Sequence, residues 1–215
     1  MKLSDFMSIE KNTYVVIDFE TTGLKYKTDQ VIEMAAIKLD EDFNEVGSFH
    51  TFIENYLPLP EIIKQLTGIT EEDLKYGLGE SDAFDIFRKF IGSSTVVAQY
   101  APFDLAFLFK QGITPSNYIC TKSLTAQVEP NESSSLGPTC ERLGIELKNA
   151  HRAIDDARAT GKVLAHRLKN NDGSLSVLNT LVVAEGRPLN YIPKSTAKIL
   201  TKTGALVADF GGRVK

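Results

Sequence analysis

The sequence predicts an α/β layer fold, a mixed central sheet flanked by helices. Three observations predict it. Tyr14 to Phe19 is an unbroken apolar run rich in β-branched residues and bounded by the turn signal Thr21-Thr22-Gly23, which reads as a central strand buried on both faces. Strand patterns come first along the chain, and helices then alternate with strands. A strong helical pattern from about Ala153 to Leu168 places Ala153, Ala157, Thr160, Leu164 and Leu168 on one stripe.

The other elements follow in order. Val31 to Leu39 and Phe49 to Ile53 read as the second and third strands. Leu57-Pro58-Leu59-Pro60 opens a loop, Glu61 to Leu66 is helical, and Gly68-Ile69-Thr70 ends it, with Thr70 as cap for Glu71 to Leu74. Ser81 to Ile91 is an amphipathic helix with Phe84, Phe87 and Ile91 on one stripe and Gly92 beyond its end. Thr95 to Ala98 is a short strand. Pro102 sits where a helix begins, and that helix runs through Leu105 and Lys110 to Gly112. Tyr118 to Thr121 reads as a strand and Ser135 to Leu143 as a helix stopped by Gly144. Asn170-Asn171-Asp172-Gly173 is a linker, which divides the chain into a body, 1–169, and an extension, 170–215.

The extension is expected to hold one short helix and a basic tail. Ser174 is the cap, Leu175, Leu178, Leu181 and Val182 make the stripe, and Gly186 and Pro188 end it. Beyond it Lys194, Lys198 and Lys202 recur every four residues. A helix over Ser195 to Thr201 would set them along one face, spaced to follow a phosphate backbone. From Gly186 to Lys215 six basic residues (Arg187, Lys194, Lys198, Lys202, Arg213, Lys215) face the single acid Asp209, a net of +5 that leaves −9 for the rest of a chain of net charge −4. On this reading, deleting Arg187 to Lys215 weakens binding of an anionic polymer and flattens its salt dependence. Hydrophobic residues make up 42% of the 215, no apolar run approaches a membrane span, and the N-terminal segment has the early acid Asp5 and no apolar signal core. A cytoplasmic protein is expected, with no membrane partner and with Cys120 and Cys140 as buried reduced thiols.

Three places can carry chemistry. Asp18 and Glu20, two apart at a strand end, project to one face, and two neighbouring buried carboxylates call for a compensating cation with a taste for oxygen ligands. Asp104 falls in the first turn of a helix, where free backbone N–H groups favour negative charge. In His151-Arg152-Ala153-Ile154-Asp155-Asp156-Ala157, helix geometry puts Asp156 on the flank of the core stripe and Asp155 on the solvent side, with His151 in the loop before the helix. Taken singly, each has a plainer reading: a solvated turn, helix-dipole stabilisation, an exposed loop histidine. Their order and their convergence on one end of a sheet favour a shared site.

Val16-Ile17-Asp18-Phe19-Glu20-Thr21-Thr22-Gly23-Leu24, Phe103-Asp104 and His151 to Ala157 resemble the three motifs of the DnaQ-like (DEDDh) 3′→5′ exonuclease family, which includes the proofreading subunits and domains of bacterial replicative polymerases. Leu66-Thr67-Gly68-Ile69-Thr70 is similar to a further segment of that family, and the likeness spans about Thr13 to Leu168. It implies a ribonuclease-H-like fold. It also implies hydrolysis of phosphodiester bonds from a 3′ end by two divalent cations, Mg²⁺ or Mn²⁺, held by Asp18, Glu20, Asp104 and Asp156, with His151 as general base. Thr21 and Leu24 would contact the terminal nucleotide, by backbone N–H and as an apolar wedge, with Phe103 beside them. The implied partners are a single-stranded DNA end and a replicative polymerase subunit. An exoribonuclease of the same family is the near alternative and a non-catalytic nucleic-acid-binding subunit the distant one, against which the complete set of acids speaks. One departure stands out. Where the family's second motif usually reads His-Asn-Ala-x-Phe-Asp, this chain has Gln99-Tyr100-Ala101-Pro102-Phe103-Asp104, a change that bears on substrate preference more than on metal binding.

Overall fold

The computed structural model describes residues 13–171, 173–183, 189 and 191–210. Asp5, Asp172, Gly186, Arg187, Pro188, Arg213 and Lys215, used in the reading above, lie outside them. Strands β1 (Tyr14–Thr21), β2 (Val31–Leu39) and β3 (Glu45–Phe52) form an antiparallel meander. Helices α1 (Glu61–Thr67), α2 (Glu71–Leu74) and α3 (Glu80–Ile91) follow, then β4 (Thr95–Ala98), α4 (Ala101–Lys110), β5 (Tyr118–Cys120), α5 (Thr121–Val128), α6 (Leu136–Leu143) and α7 (Ala153–Lys169). The sheet order is β3-β2-β1-β4-β5, with β4 parallel to both β1 and β5. The mixed sheet is thus as expected, with the apolar run of β1 at its centre.

Alternation along β1 assigns its two faces. Val15, Ile17 and Phe19 join the core formed with Phe84, Phe87 and Ile91 of α3 and Leu105 and Leu108 of α4. Val16 points the other way, into the layer of Ala153, Ala157 and Leu164 on α7. That helix lies close on the sheet, and Gly161 is the reason. A Cβ there would come within 3.3 Å of Leu39 Cδ1 and 3.5 Å of Val16 Cγ2. Local signals held elsewhere too: Thr70 caps α2 in a reciprocal box with Asp73, and Gly68 and Gly144 end α1 and α6 in the left-handed conformation. Cys120 and Cys140 are buried free thiols. Among the described residues no helix is long and apolar enough to cross a membrane.

Two expected helices do not form, both in the extension. No helix forms between 174 and 183. Thr180–Val183 is strand β6, paired in parallel with β7 (Lys198–Thr201), which pairs antiparallel with β8 (Leu206–Asp209). The three lysines therefore do not share a helical face. The cause is tertiary. Asn179 adopts a left-handed φ of 52°, its N–H donates to the Tyr118 carbonyl (2.9 Å) and its Oδ1 accepts from the Tyr118 N–H (2.8 Å). One residue thereby ends any helix and joins the second sheet to edge strand β5, covering backbone groups that would otherwise be open. The β-branched Thr180, Val182 and Val183 suit the strand, and Leu181 and Ile199 enter the same core as β1 and α3. Deleting Arg187 to Lys215 would thus strip β7 and β8 from a shared core, so point substitutions are the proper probe of this segment. Helix α5 was not foreseen. It is covered nearly all round, at Thr121, Ser123, Leu124, Thr125 and Ala126, so it lacks the polar face that makes a helix visible in sequence.

Candidate active site

The site forms where β1 leaves the sheet. Because residues two apart share a face, Asp18 and Glu20 project with Val16 toward α7, while Phe19 turns into Phe84 and Phe87. A register shift follows at once: Glu20 is opposite Glu33, but Thr21 is opposite Val31. The loop beyond is tied back on itself. The Thr22 N–H donates to the Gln30 carbonyl (2.9 Å), and the Gln30 N–H to Thr22 Oγ1 (3.0 Å). At Gly23 a Cβ would stand 2.5 Å from Asp29 Oδ2, which accepts from the Lys25 N–H, so a side chain there would displace Asp29 from this contact. Thr21 is buried and its hydroxyl donates to the Gly23 carbonyl. Leu24 stands 76% exposed on this braced loop.

Strand β4 runs parallel beside β1, so the first turn of α4 comes next to the same strand end. Asp104 is buried there and accepts from the Phe19 backbone N–H. Phe103, half-buried, packs edge-on against Phe107 at 5.2 Å. The unusual Gln99 is a structural tie: its amide donates to the Ser134 carbonyl and accepts from the Thr121 hydroxyl. Tyr100 is more open and carries Lys122 Nζ 4.7 Å above its ring.

The third contribution comes from the start of α7. His151 is exposed, lies just before the helix as expected, and holds a left-handed φ of 65°, strained for a residue with a side chain. Its N–H donates to Asp156 Oδ2 at 3.2 Å. Donor atoms of Glu20, His151 and Asp156 all lie within 4.8 Å of one another. Asp155 is not one of these three; it is half-covered and accepts from Asn149 Nδ2 at 2.8 Å, so the full solvation expected of it does not hold.

Glu33 was not anticipated. It is fully buried in β2 beside Glu20 and accepts from Arg152 Nε (3.2 Å) and Nη2 (3.0 Å) and from the Ala153 N–H (3.1 Å), with His50 Nε2 at 2.6 Å. It therefore caps α7 from across the sheet and fixes the segment that carries His151. The one signal for it in sequence is an acid set in the apolar run Val31-Ile32-Glu33-Met34-Ala35-Ala36-Ile37.

The remaining acids lack such compensation. Burial, then the charges of Asp104, Asp156, Glu20 and Glu33, push the Asp18 carboxyl well above the usual range. Burial and the charges of Asp156, Glu33 and Asp104 push Glu20 to about 8. Burial takes Asp104 to about 8 against the pull of backbone hydrogen bonds, and Asp156 to about 6 despite the His151 N–H. For Glu33, burial acts upward too, yet the hydrogen bonds from His50, Arg152 and Ala153 outweigh it and its pKa is lowered. Asp156 Oδ1 is buried without a hydrogen-bond partner. Four neighbouring carboxyls, of which Glu20 and Asp156 lie with His151 within ligand distance and Asp156 has an orphaned oxygen, fit a hard divalent cation.

Comparison with known proteins bears on the family and the fold. The family model described as Exonuclease matches residues 15–164. The PolC-type DNA polymerase III of Clostridium perfringens is 37% identical over 162 residues, 73% of this chain and 11% of the polymerase, and that of Bacillus cereus 37% over 169 residues, 75% and 12%. The chain thus spans about a ninth of the length of these relatives. Among solved structures, the nuclease domain of 3′hExo, a DEDDh family member bound to rAMP, superposes with a TM-score of 0.64 at 15% identity, covering 78% of this chain and 96% of that one. E. coli exonuclease I in complex with a dT13 oligonucleotide gives 0.63 at 18%, covering 73% and 41%. The ribonuclease-H-like fold is shared with both.

Proposed function

The chain belongs to the exonuclease family of 3′→5′ phosphodiester hydrolases, and we propose that within it this protein removes nucleoside monophosphates one at a time from single-stranded DNA 3′ ends. We further place it in the cytoplasm and in replication proofreading or repair, in company with a replicative polymerase subunit, a reading supported by its polymerase relatives. The observation that carries the activity is the acid set gathered around an orphaned carboxylate oxygen, with His151 in reach.

In this reading Asp18, Glu20, Asp104 and Asp156 would hold two divalent cations, Mg²⁺ or Mn²⁺. When bound, such a pair neutralises the phosphoryl oxygens, makes water more acidic and steadies the leaving 3′-oxyanion. The chain's own groups do the rest. His151 takes one proton from the attacking water as its oxygen bonds to phosphorus; the bond from phosphorus to the 3′-oxygen breaks, and that oxygen is reprotonated from solvent. Glu33 and Arg152 hold the start of α7 so that His151 and Asp156 keep their spacing. Leu24 wedges against the terminal base with Phe103 beside it, and the backbone at Thr21 meets the terminal nucleotide. Recognition through backbone and base faces suits substrates of any sequence.

Digestion of labelled single-stranded DNA and RNA of matched sequence, with Mg²⁺, Mn²⁺ or chelator, tests this. Stepwise shortening from the 3′ end, faster on DNA and absent with chelator, is expected. Intact substrates under every metal condition would refute the activity, and faster loss of RNA would refute the DNA preference.

A further inference from the structure

The pocket beside the acid set has a wall that the family motifs do not supply. Leu24, Tyr26, Tyr100 and Phe103 line it, and so does Tyr191, from the segment leading into β7. The Tyr191 ring meets Tyr26 edge-on at 5.7 Å and leans on Phe109 at 5.4 Å. Its segment is anchored on the body: Thr196 Oγ1 bonds the Tyr118 hydroxyl (3.0 Å), the Ser195 hydroxyl donates to the Pro115 carbonyl (3.0 Å), and the Ala197 N–H donates to the Asn179 carbonyl (2.7 Å). Cations stand over these rings: Lys27 Nζ 6.0 Å from Tyr26, Lys122 Nζ 4.7 Å from Tyr100 and Lys194 Nζ 5.1 Å from Phe109.

We infer that this pocket is a nucleobase slot in which Tyr191 of the C-terminal segment stacks on one base near the 3′ end of the substrate strand. The inference rests on the exonuclease reading and adds to it a residue that lies beyond the matched family region, 15–164. Aromatic faces with an apolar wedge suit a flat base, which stacks whatever its sequence, and the lysines near Tyr26 and Tyr100 suit the phosphates of the same strand. The chemistry is divided in space: acids at the strand end repel phosphate until cations join them, whereas the slot offers aromatic surface and positive charge. Continuity fixes the occupant as part of the same strand, because Phe103 adjoins Asp104 and Leu24 lies on the loop that follows Glu20. The slot also gives Tyr100 a purpose where the family usually has asparagine, since it adds a ring to the wall. This, rather than a lysine stripe, is how the basic extension meets nucleic acid.

Two measurements test it on the full chain. In steady-state digestion with Mg²⁺, Tyr191→Ala is expected to raise KM for single-stranded DNA about tenfold, the order of one lost stacking contact, with a smaller change in kcat. Tyr191→Phe should keep the wild-type KM. In an Asp156→Asn background, oligonucleotides carrying 2-aminopurine at either of the last two positions should be quenched on binding, and Tyr191→Ala or Tyr26→Ala should release the quenching. Tyr26 lies on the motif loop rather than the extension, so its substitution reads the slot even where Tyr191→Ala unsettles the second sheet. Normal digestion, with KM and quenching unmoved by both alanine variants, overturns the slot and leaves the exonuclease reading standing. Quenching that depends on Tyr191, in a chain that digests nothing, upholds the slot and overturns that reading.

Discussion

Glu20 and Glu33 face each other across β1 and β2, yet they live under opposite conditions. Glu33 is fully buried and satisfied by Arg152, His50 and the start of α7, and its carboxyl is held below the ordinary range. Glu20 sits beside Asp18, Asp104 and Asp156 without matching donors, and its carboxyl is pushed up to about 8. One strand apart, the fold completes one acid and leaves the other incomplete. Burial alone therefore does not set Glu20 apart from Glu33; burial without a matching cation does. Glu33 stabilises the frame, and the other set stores repulsion that a bound cation would relieve.

Removing members of the unpaired set should have the largest effect. Asp18→Ala or Asp156→Ala is expected to lower the exonuclease rate by at least roughly 10³-fold, the scale of lost phosphoryl charge stabilisation. Either variant should unfold at the same or a higher temperature than wild type in chelator, since a repelling charge is gone. His151→Ala should follow, with kcat reduced by about 10²–10⁴-fold and KM little changed; an unchanged rate across neutral pH would remove His151 from the mechanism.

The paired acid should respond in the other direction. Glu33→Gln leaves Arg152 without its anion and weakens the cap of α7. Breaking a buried pair costs about 3–5 kcal/mol, and because Arg152 is partly exposed we expect about 2–3 kcal/mol here, read in denaturant unfolding. A variant as stable as wild type would erase the contrast with Glu20. The smallest effect belongs to Asp155→Ala, which loses the Asn149 contact and should change the rate less than about threefold; a loss like that of Asp156→Ala would overturn the face assignment on α7.

What was legible in the sequence follows the same division. The run of β1 and the direction of its acids could be read because spacing within a strand fixes direction, as with Val16, Asp18 and Glu20 on one face, whereas Asp104 and His151 stood out only through their resemblance to the family motifs. The place of Asp156 on α7 could be read from the 3.6-residue period. Glu33 could be seen but not understood, because its partners Arg152 and Ala153 are more than a hundred positions away. The second sheet was misread for a comparable reason. Leu175, Leu178, Leu181 and Val182 do make a helical stripe on paper, yet β6 is four residues long, its partner β7 comes later, and the choice is made by Asn179 bonding to Tyr118. Tyr191 offered no local pattern at all; its role follows from where β7 is anchored.

The central claim is that the raised carboxyls mark a cation site, and it is tested most directly by thermal unfolding of wild type and Asp156→Asn across pH, in chelator and with Mg²⁺ or Mn²⁺. A carboxyl whose folded pKa is raised stabilises the fold fully below its unfolded pKa, near 4, and that contribution is lost as pH rises through the folded value. With Asp156 at about 6 and Glu20 and Asp104 at about 8, the wild-type chain in chelator should lose stability steadily between about pH 4 and pH 8. Saturating metal should restore it by several degrees near pH 8, as ligand linkage requires. Asp156→Asn should lose less with pH and gain little from metal. A wild-type melting temperature that is flat over this range and indifferent to both cations would contradict the account.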